Sequence, residues 1–193
     1  MAAVSESGGI YVVEYDPCWP QQAATAIDAL RAAVPGLFVE IEHIGSTAVP
    51  GLAAKPVIDL MAAVHDLPYA ALHHAALAGL GFHPHDNGMT DRLLYVRADD
   101  ADNADSAGNR VRSHILHVVT LESWPTRNQR ILRDHMRTHP EDAARYARLK
   151  RAIVAAGTGA GAYSRAKTTL VQELTDRARA QRGLPSVPVW EKR

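Results

Sequence analysis

The run Glu42-His43-Ile44-Gly45-Ser46-Thr47, followed by Lys55 and then Asp59, collects residue types suited to holding a phosphate. A Gly-Ser turn between a strand and a helix lets backbone N–H groups approach phosphate oxygens closely. Ser46 and Thr47 add hydroxyl donors, and Lys55 supplies a matching positive charge. A blander reading is open: Gly45 makes a tight turn and Ser46 caps a helix. Asp59 sharpens the choice, because it interrupts the apolar run Val57-Ile58-Asp59-Leu60-Met61-Ala62-Ala63-Val64. Burying a carboxylate costs on the order of several kcal/mol unless it is paired, hydrogen-bonded or metal-bound. Asp59 is therefore either satisfied by backbone donors or placed at a functional edge, and the edge is the expectation.

Other side chains could join it. His114 and His117 lie in the extended run Arg112–Thr120, three positions apart, so they point to opposite sides of a strand and cannot chelate one ion together. At most one joins Asp59, as a metal ligand, acid, base or phosphate donor; an interior histidine with one hydrogen-bond partner is the plain alternative. Arg133 and Asp134 are set to form an internal ion pair or to position a phosphate. Tyr163 and Lys167, four apart, share a helix face; the plain reading has Tyr163 packing and Lys167 solvated.

The elements that must position these groups follow from spacing. An extended piece at Ile10–Tyr15 precedes Asp16-Pro17, and apolar residues Ala23, Ile27, Leu30 and Val34 predict a helix over Pro20–Val34, anchored at its start by Trp19. Phe38–Ile44 reads as a strand entering the Gly-Ser turn, and Val57–Val64 as a buried central strand. Leu67–Leu80 reads as a helix, with His73-His74 on its surface. Phe82–His85 and Arg92–Arg97 form a hairpin around Asp86-Asn87-Gly88. Ala98–Asn109 is expected to be a polar surface loop and Arg112–Thr120 a strand. Helices are expected over Trp124–Met136, Glu141–Ala155 and Ala162–Arg182.

With 193 residues, 47% of them hydrophobic and 22% charged, the chain can bury its own core. The expected organisation is one domain over residues 1–182 and a loosely attached tail over 183–193. The 21 Lys plus Arg balance 21 Asp plus Glu, so no global field draws the chain to nucleic acid or anionic membrane, and an anion site must be local. One cysteine, Cys18, excludes an intrachain disulfide and a cysteine-built zinc site. No stretch approaches the roughly 20 apolar residues that cross a bilayer, and a cytoplasmic location is expected.

The ordered run from His43-Ile44-Gly45-Ser46-Thr47-Ala48-Val49-Pro50-Gly51-Leu52 through Lys55-Pro56-Val57-Ile58-Asp59 resembles the signature of the GrpB family. The resemblance continues through Asn87-Gly88, His114–Val119, Leu132-Arg133-Asp134, His139-Pro140, Tyr146 with Leu149-Lys150, and Tyr163 with Lys167. It implies an α/β (α+β) nucleotidyltransferase-like fold, a mixed sheet flanked by helices with a C-terminal helical segment. It also implies a bound nucleoside triphosphate, a divalent ion such as magnesium or manganese, and transfer of a nucleotidyl or phosphoryl group to a small acceptor. Asp59 and His117 would be catalytic and metal-binding, and Gly45, Ser46, Thr47, Lys55, Arg133, Tyr163 and Lys167 would contact phosphate or nucleotide. The alternative is a non-catalytic module binding a nucleotide or phospho-metabolite, with coenzyme A in view because GrpB-like domains occur fused to dephospho-CoA kinase. The sequence departs from the superfamily's Asp-x-Asp or Asp-x-Glu at Met61, a poor ligand for magnesium.

Overall fold

In the computed structural model, residues 11–86, 88–98, 111–157, 163 and 165–189 are described. The regular elements among the described residues are α1 (Trp19–Ala33), β1 (Glu40–Ile44), a 3-10 turn (Ser46–Ala48), β2 (Ile58–Val64), α2 (Leu67–Ala71), α3 (His74–Ala78), β3 (His83–Pro84), β4 (Leu93–Ala98), β5 (Arg112–Thr120), a second 3-10 turn (Trp124–Thr126) where a helix is expected to begin, α4 (Asn128–Thr138), α5 (Pro140–Ala155) and α6 (Thr168–Ala180). The strands form one mixed sheet in the order β1-β2-β5-β4-β3. Only β2 and β5 run parallel among these neighbours; β1 joins β2, and β4 joins β5 and β3, antiparallel. The result is a mixed sheet flanked by helices, with the Gly-Ser turn ahead of the Asp59 strand.

Alternation along the strands sorts the core into two faces. Leu60, Ala62, Val64, Leu116 and Val118 pack with Trp19, Ala23, Ala26 and Leu30 of α1 and with Leu77 and Phe82 beyond α2. Leu60 has no exposed surface, and truncating a side chain so placed costs about 2–5 kcal/mol. Trp19 anchors the start of α1, with the Tyr15 ring set edge-on at 5.4 Å. On the opposite face Ile44, Met61, Ala63 and Val119 pack beneath Trp124. Both faces of β2 are thus covered, which explains why its sequence is apolar throughout except at Asp59. A further cluster, with Val49, Leu52, Met136, Tyr146, Val171 and Leu174, joins the segment after the Gly-Ser turn to α4, α5 and α6.

Three further expectations change. The helix expected over Leu67–Leu80 is two five-residue helices; Asp66 caps the first by accepting from the Tyr69 N–H at 2.6 Å. At the second, His74 is not a bare surface residue, for its Nδ1 meets the Tyr95 hydroxyl at 2.7 Å. Residues 184–189 do not hang loose: Gln172 Nε2 donates to the Val187 carbonyl at 3.0 Å, and the Val189 N–H donates to Gln172 Oε1 at 2.9 Å. Pairing of these otherwise orphaned backbone groups ties residues 184–189 back to α6. The polar segment 99–110, Asn87 of the hairpin turn and residues 190–193 lie outside the described residues.

Candidate functional site

Gly45 ends β1 with φ +73° and ψ −169°, a region open in practice only to glycine. The residue before it, Ile44, pairs with Asp59. A Cβ built on Gly45 would lie 2.4 Å from Asp59 Oδ2, so the carboxylate occupies the space that any other residue's side chain would need. The half-buried Asp59 therefore rests against the backbone of the Gly-Ser turn, at the floor of a cavity of about 220 Å³. The walls come from Gly45, Ser46, Tyr146, Lys167 and Arg133, with Val49, Leu132, Met136 and Val171 making much of the rest apolar.

Ser46 receives a cation. Lys150, only 2% exposed, projects from α5 and donates from Nζ to Ser46 Oγ at 3.1 Å, with its ammonium 4.5 Å from the centre of the Tyr146 ring. The Tyr146 hydroxyl is also hydrogen-bonded with Ser46. Lys167, at the start of α6, lies 4.2 Å from the centre of the Tyr163 ring, so the two residues expected to share a face do meet. Burial pushes the Lys150 ammonium down to about 7, helped by repulsion from Lys167 and Arg151. Burial also lowers Lys167 to about 8, with Asp59 opposing and Lys55 adding to the shift. Asp59 is raised to about 7 by burial against the pull of Lys167 and Lys55. Burial and Arg112 lower Lys55, against the pull of Asp59. Lys167 and Lys55 thus flank the one carboxylate, with Lys150 nearby on Ser46, and uptake of a proton by Asp59 makes the local charge more positive.

Other expected residues sit elsewhere. Thr47 is buried, and its hydroxyl is committed to the Val57 carbonyl at 3.1 Å and to His43 Nε2 at 2.9 Å, so it ties β1 to the approach of β2. Arg133 touches the cavity wall but spends its guanidinium internally, on Asp134 Oδ1 at 2.7 Å, Glu42 Oε2 at 2.6 Å and the His43 carbonyl at 2.8 Å. The ion-pair alternative is the one that forms.

His114 and His117 do take opposite faces, as their spacing requires. His117 lies on the Asp59 face but one full pleat further along, opposite Met61. Its charged neighbours are Arg92, Arg127 and Asp91, and together with burial the two arginines lower it to about 3. Asp59 and His117 thus sit one pleat apart on the same face, in different charged surroundings. Met61 has no exposed surface and belongs to the apolar cluster under Trp124. Among the described residues no group of three or more His, Cys, Asp or Glu side chains is placed to hold a metal. A donor set of one carboxylate flanked by lysines does not fit a pair of hard divalent ions.

Lys150 was not singled out by spacing, since it lies in a different element far along the chain from Ser46. A signal existed. The buried residues of α5 are Asp142, Tyr146, Ala147, Lys150 and Ile153, at helical spacing. A lysine on the inward stripe of an amphipathic helix needs a partner or a purpose.

A family model described as GrpB protein matches residues 9–177. The UPF0157 protein PA4798 of Pseudomonas aeruginosa is 37% identical over 185 residues, covering 92% of this chain and 71% of that protein. A dephospho-CoA kinase of Mycolicibacterium paratuberculosis is 34% identical over 95 residues, 48% of this chain and 21% of the kinase. The crystal structure of the conserved protein GrpB from Enterococcus faecalis matches with a TM-score of 0.77 at 23% identity, covering 90% of this chain and 99% of that one. No helix among the described residues is long and apolar enough to cross a membrane. With a family model spanning most of its length and a relative 37% identical across 92% of it, the chain belongs to the GrpB protein family.

Proposed function

We propose that the chain binds a small phosphorylated molecule, a nucleotide or phospho-metabolite, with a phosphate seated at Ser46 between Lys150 and Lys167. The observation that carries this reading is the buried Lys150 ammonium held on Ser46 at 3.1 Å. A lysine so far out of water, with Lys167 as a like-charged neighbour, is costly while it stands alone and gains most from an arriving anion. The apolar walls suit the body of a nucleoside or a similar group. Positive charge on lysines takes the part that divalent ions would play in a two-metal site, so binding is expected without a metal.

Phosphoryl or nucleotidyl transfer is the second reading, and one feature favours it. Asp59 opens into the cavity beside the Gly-Ser turn and, at about 7, can exchange a proton near neutrality. Titration calorimetry decides between the two. Nucleoside triphosphates and coenzyme A, a probe suggested by the dephospho-CoA kinase relative, are titrated with and without magnesium or manganese into wild type, Lys150→Met and Asp59→Ala. Metal-independent binding that is lost in Lys150→Met and retained in Asp59→Ala supports the binding module. Metal-dependent binding lost in Asp59→Ala shifts the case to the transferase. Heats unchanged in Lys150→Met sink the proposed phosphate seat.

A further inference from the structure

Beyond the lysine cavity lies a second one of about 330 Å³, and Asn128, Gln129 and Val189 line both. Its chemistry is different. Three arginines, Arg92, Arg127 and Arg179, face one lining carboxylate, Asp91. Asp91 is shared: Arg92 reaches its two oxygens at 2.9 and 3.1 Å, Arg127 Nη1 also pairs with Oδ2, and Arg127 Nη2 donates to the Asp91 carbonyl at 3.0 Å. Burial alone would raise Asp91, but the two arginines hold it down at about 2, so it stays ionised and bridges them.

Arg179 has no such partner. It is 4% exposed, and among the described residues its hydrogen bonds go to neutral oxygens: the Pro185 carbonyl at 2.6 Å, the Thr126 carbonyl at 2.9 Å and Asn128 Oδ1 at 2.8 Å. Those bonds use Nε and Nη1, and Nη2 takes no partner among the described residues. The lining thus carries an excess of two positive charges, one of them on a buried guanidinium that lacks a carboxylate. Arginines fixed by internal bonds, with donors left over, suit bidentate capture of an oxyanion.

We infer that this arginine cavity is a second anion subsite, and that the ligand carries two anionic groups, one at Ser46 and one at Arg92, Arg127 and Arg179. The inference rests on the phosphate seat proposed above. The shared wall supplies the route between the ends, with the side-chain amides of Asn128 and Gln129 beside Val189. The ligand's middle is therefore a body with both apolar and hydrogen-bonding surface, as a nucleoside has. The second anion is a phosphate or a carboxylate, because both present paired oxygens to a guanidinium.

Three adenosine compounds test this by calorimetry: the 5′-monophosphate, the 3′,5′-bisphosphate, and adenylosuccinate, whose second anion is a dicarboxylate. The expected result is that at least one bis-anionic probe binds wild type about tenfold tighter than the monophosphate. That advantage should vanish in Arg92→Gln and in Arg127→Gln while affinity for the monophosphate stays at the wild-type level. Lys150→Met should lose all three probes. Whichever probe gains identifies the second anion. If wild type binds the monophosphate but neither bis-anionic probe any tighter, the second subsite is overturned and the phosphate seat stands. A gain that survives both arginine substitutions also overturns it. If no probe binds wild type, the phosphate seat fails and the second subsite fails with it.

Discussion

Lys150 and Lys167 are ammonium groups that burial has brought to about 7 and about 8, within reach of ordinary buffers. Both sit far below the ordinary lysine value of 10.5, so above pH 7 part of the unliganded protein holds them neutral. A bound phosphate favours their charged forms and must raise both values. Binding at pH 8 is therefore expected to take up protons, read as a dependence of the calorimetric heat on the buffer's ionisation enthalpy. Affinity should fall as pH rises from 7 to 9. A heat independent of buffer at pH 8 would show that the lysines do not hold the anion. Asp59 works in the same direction: as pH rises through about 7 it acquires a negative charge that repels the phosphate.

The strands that carry this chemistry were legible because their patterns are local. The run from Ile58 to Val64 is apolar on both faces, and β5 matches its expected span of Arg112–Thr120. Helix boundaries were less legible: the 67–80 segment breaks at Leu72 and His73, where no glycine or proline marks the interruption. The inward stripe of α5 marked Lys150 as needing a partner, but not which one, since the hydrogen bond to Ser46 depends on packing rather than on spacing. Asp142 belongs to the same inward stripe of α5. It is 1% exposed and accepts from His135 Nε2 at 2.8 Å, Arg177 at 2.7 Å and Arg145 at 3.3 Å. Burial would raise its carboxyl, but those donors outweigh burial and lower it. Its contribution is therefore present above the unfolded carboxylate value and is lost as pH falls through its lowered folded value. Asp142→Ala leaves a buried histidine without its acceptor and is expected to cost about 1–3 kcal/mol, measured by urea denaturation at pH 7. The gap to wild type should narrow in acid; a gap that is constant with pH would assign the loss to packing alone.

At the scale of the whole molecule, positive and negative side chains balance overall, yet cations gather where the sheet meets the three C-terminal helices. The segment 184–189 closes that region, bonding to Gln172 and Arg179 and contributing Val189 to both cavities. Ending the chain after Gly183 should lower the melting temperature and weaken probes that reach the arginine end more than adenosine monophosphate. Equal losses for both would show that the segment only stabilises the fold. The contact between Gly45 and Asp59 bears on inheritance as well as on shape. Because the carboxylate fills the place of a Cβ, the two positions form one heritable unit, and drift at either is constrained by the other. Lineages that keep an aspartate at the position of Asp59 should keep glycine at that of Gly45, whereas those that have lost the acid are relieved of the clash and retain only the demand of a positive φ.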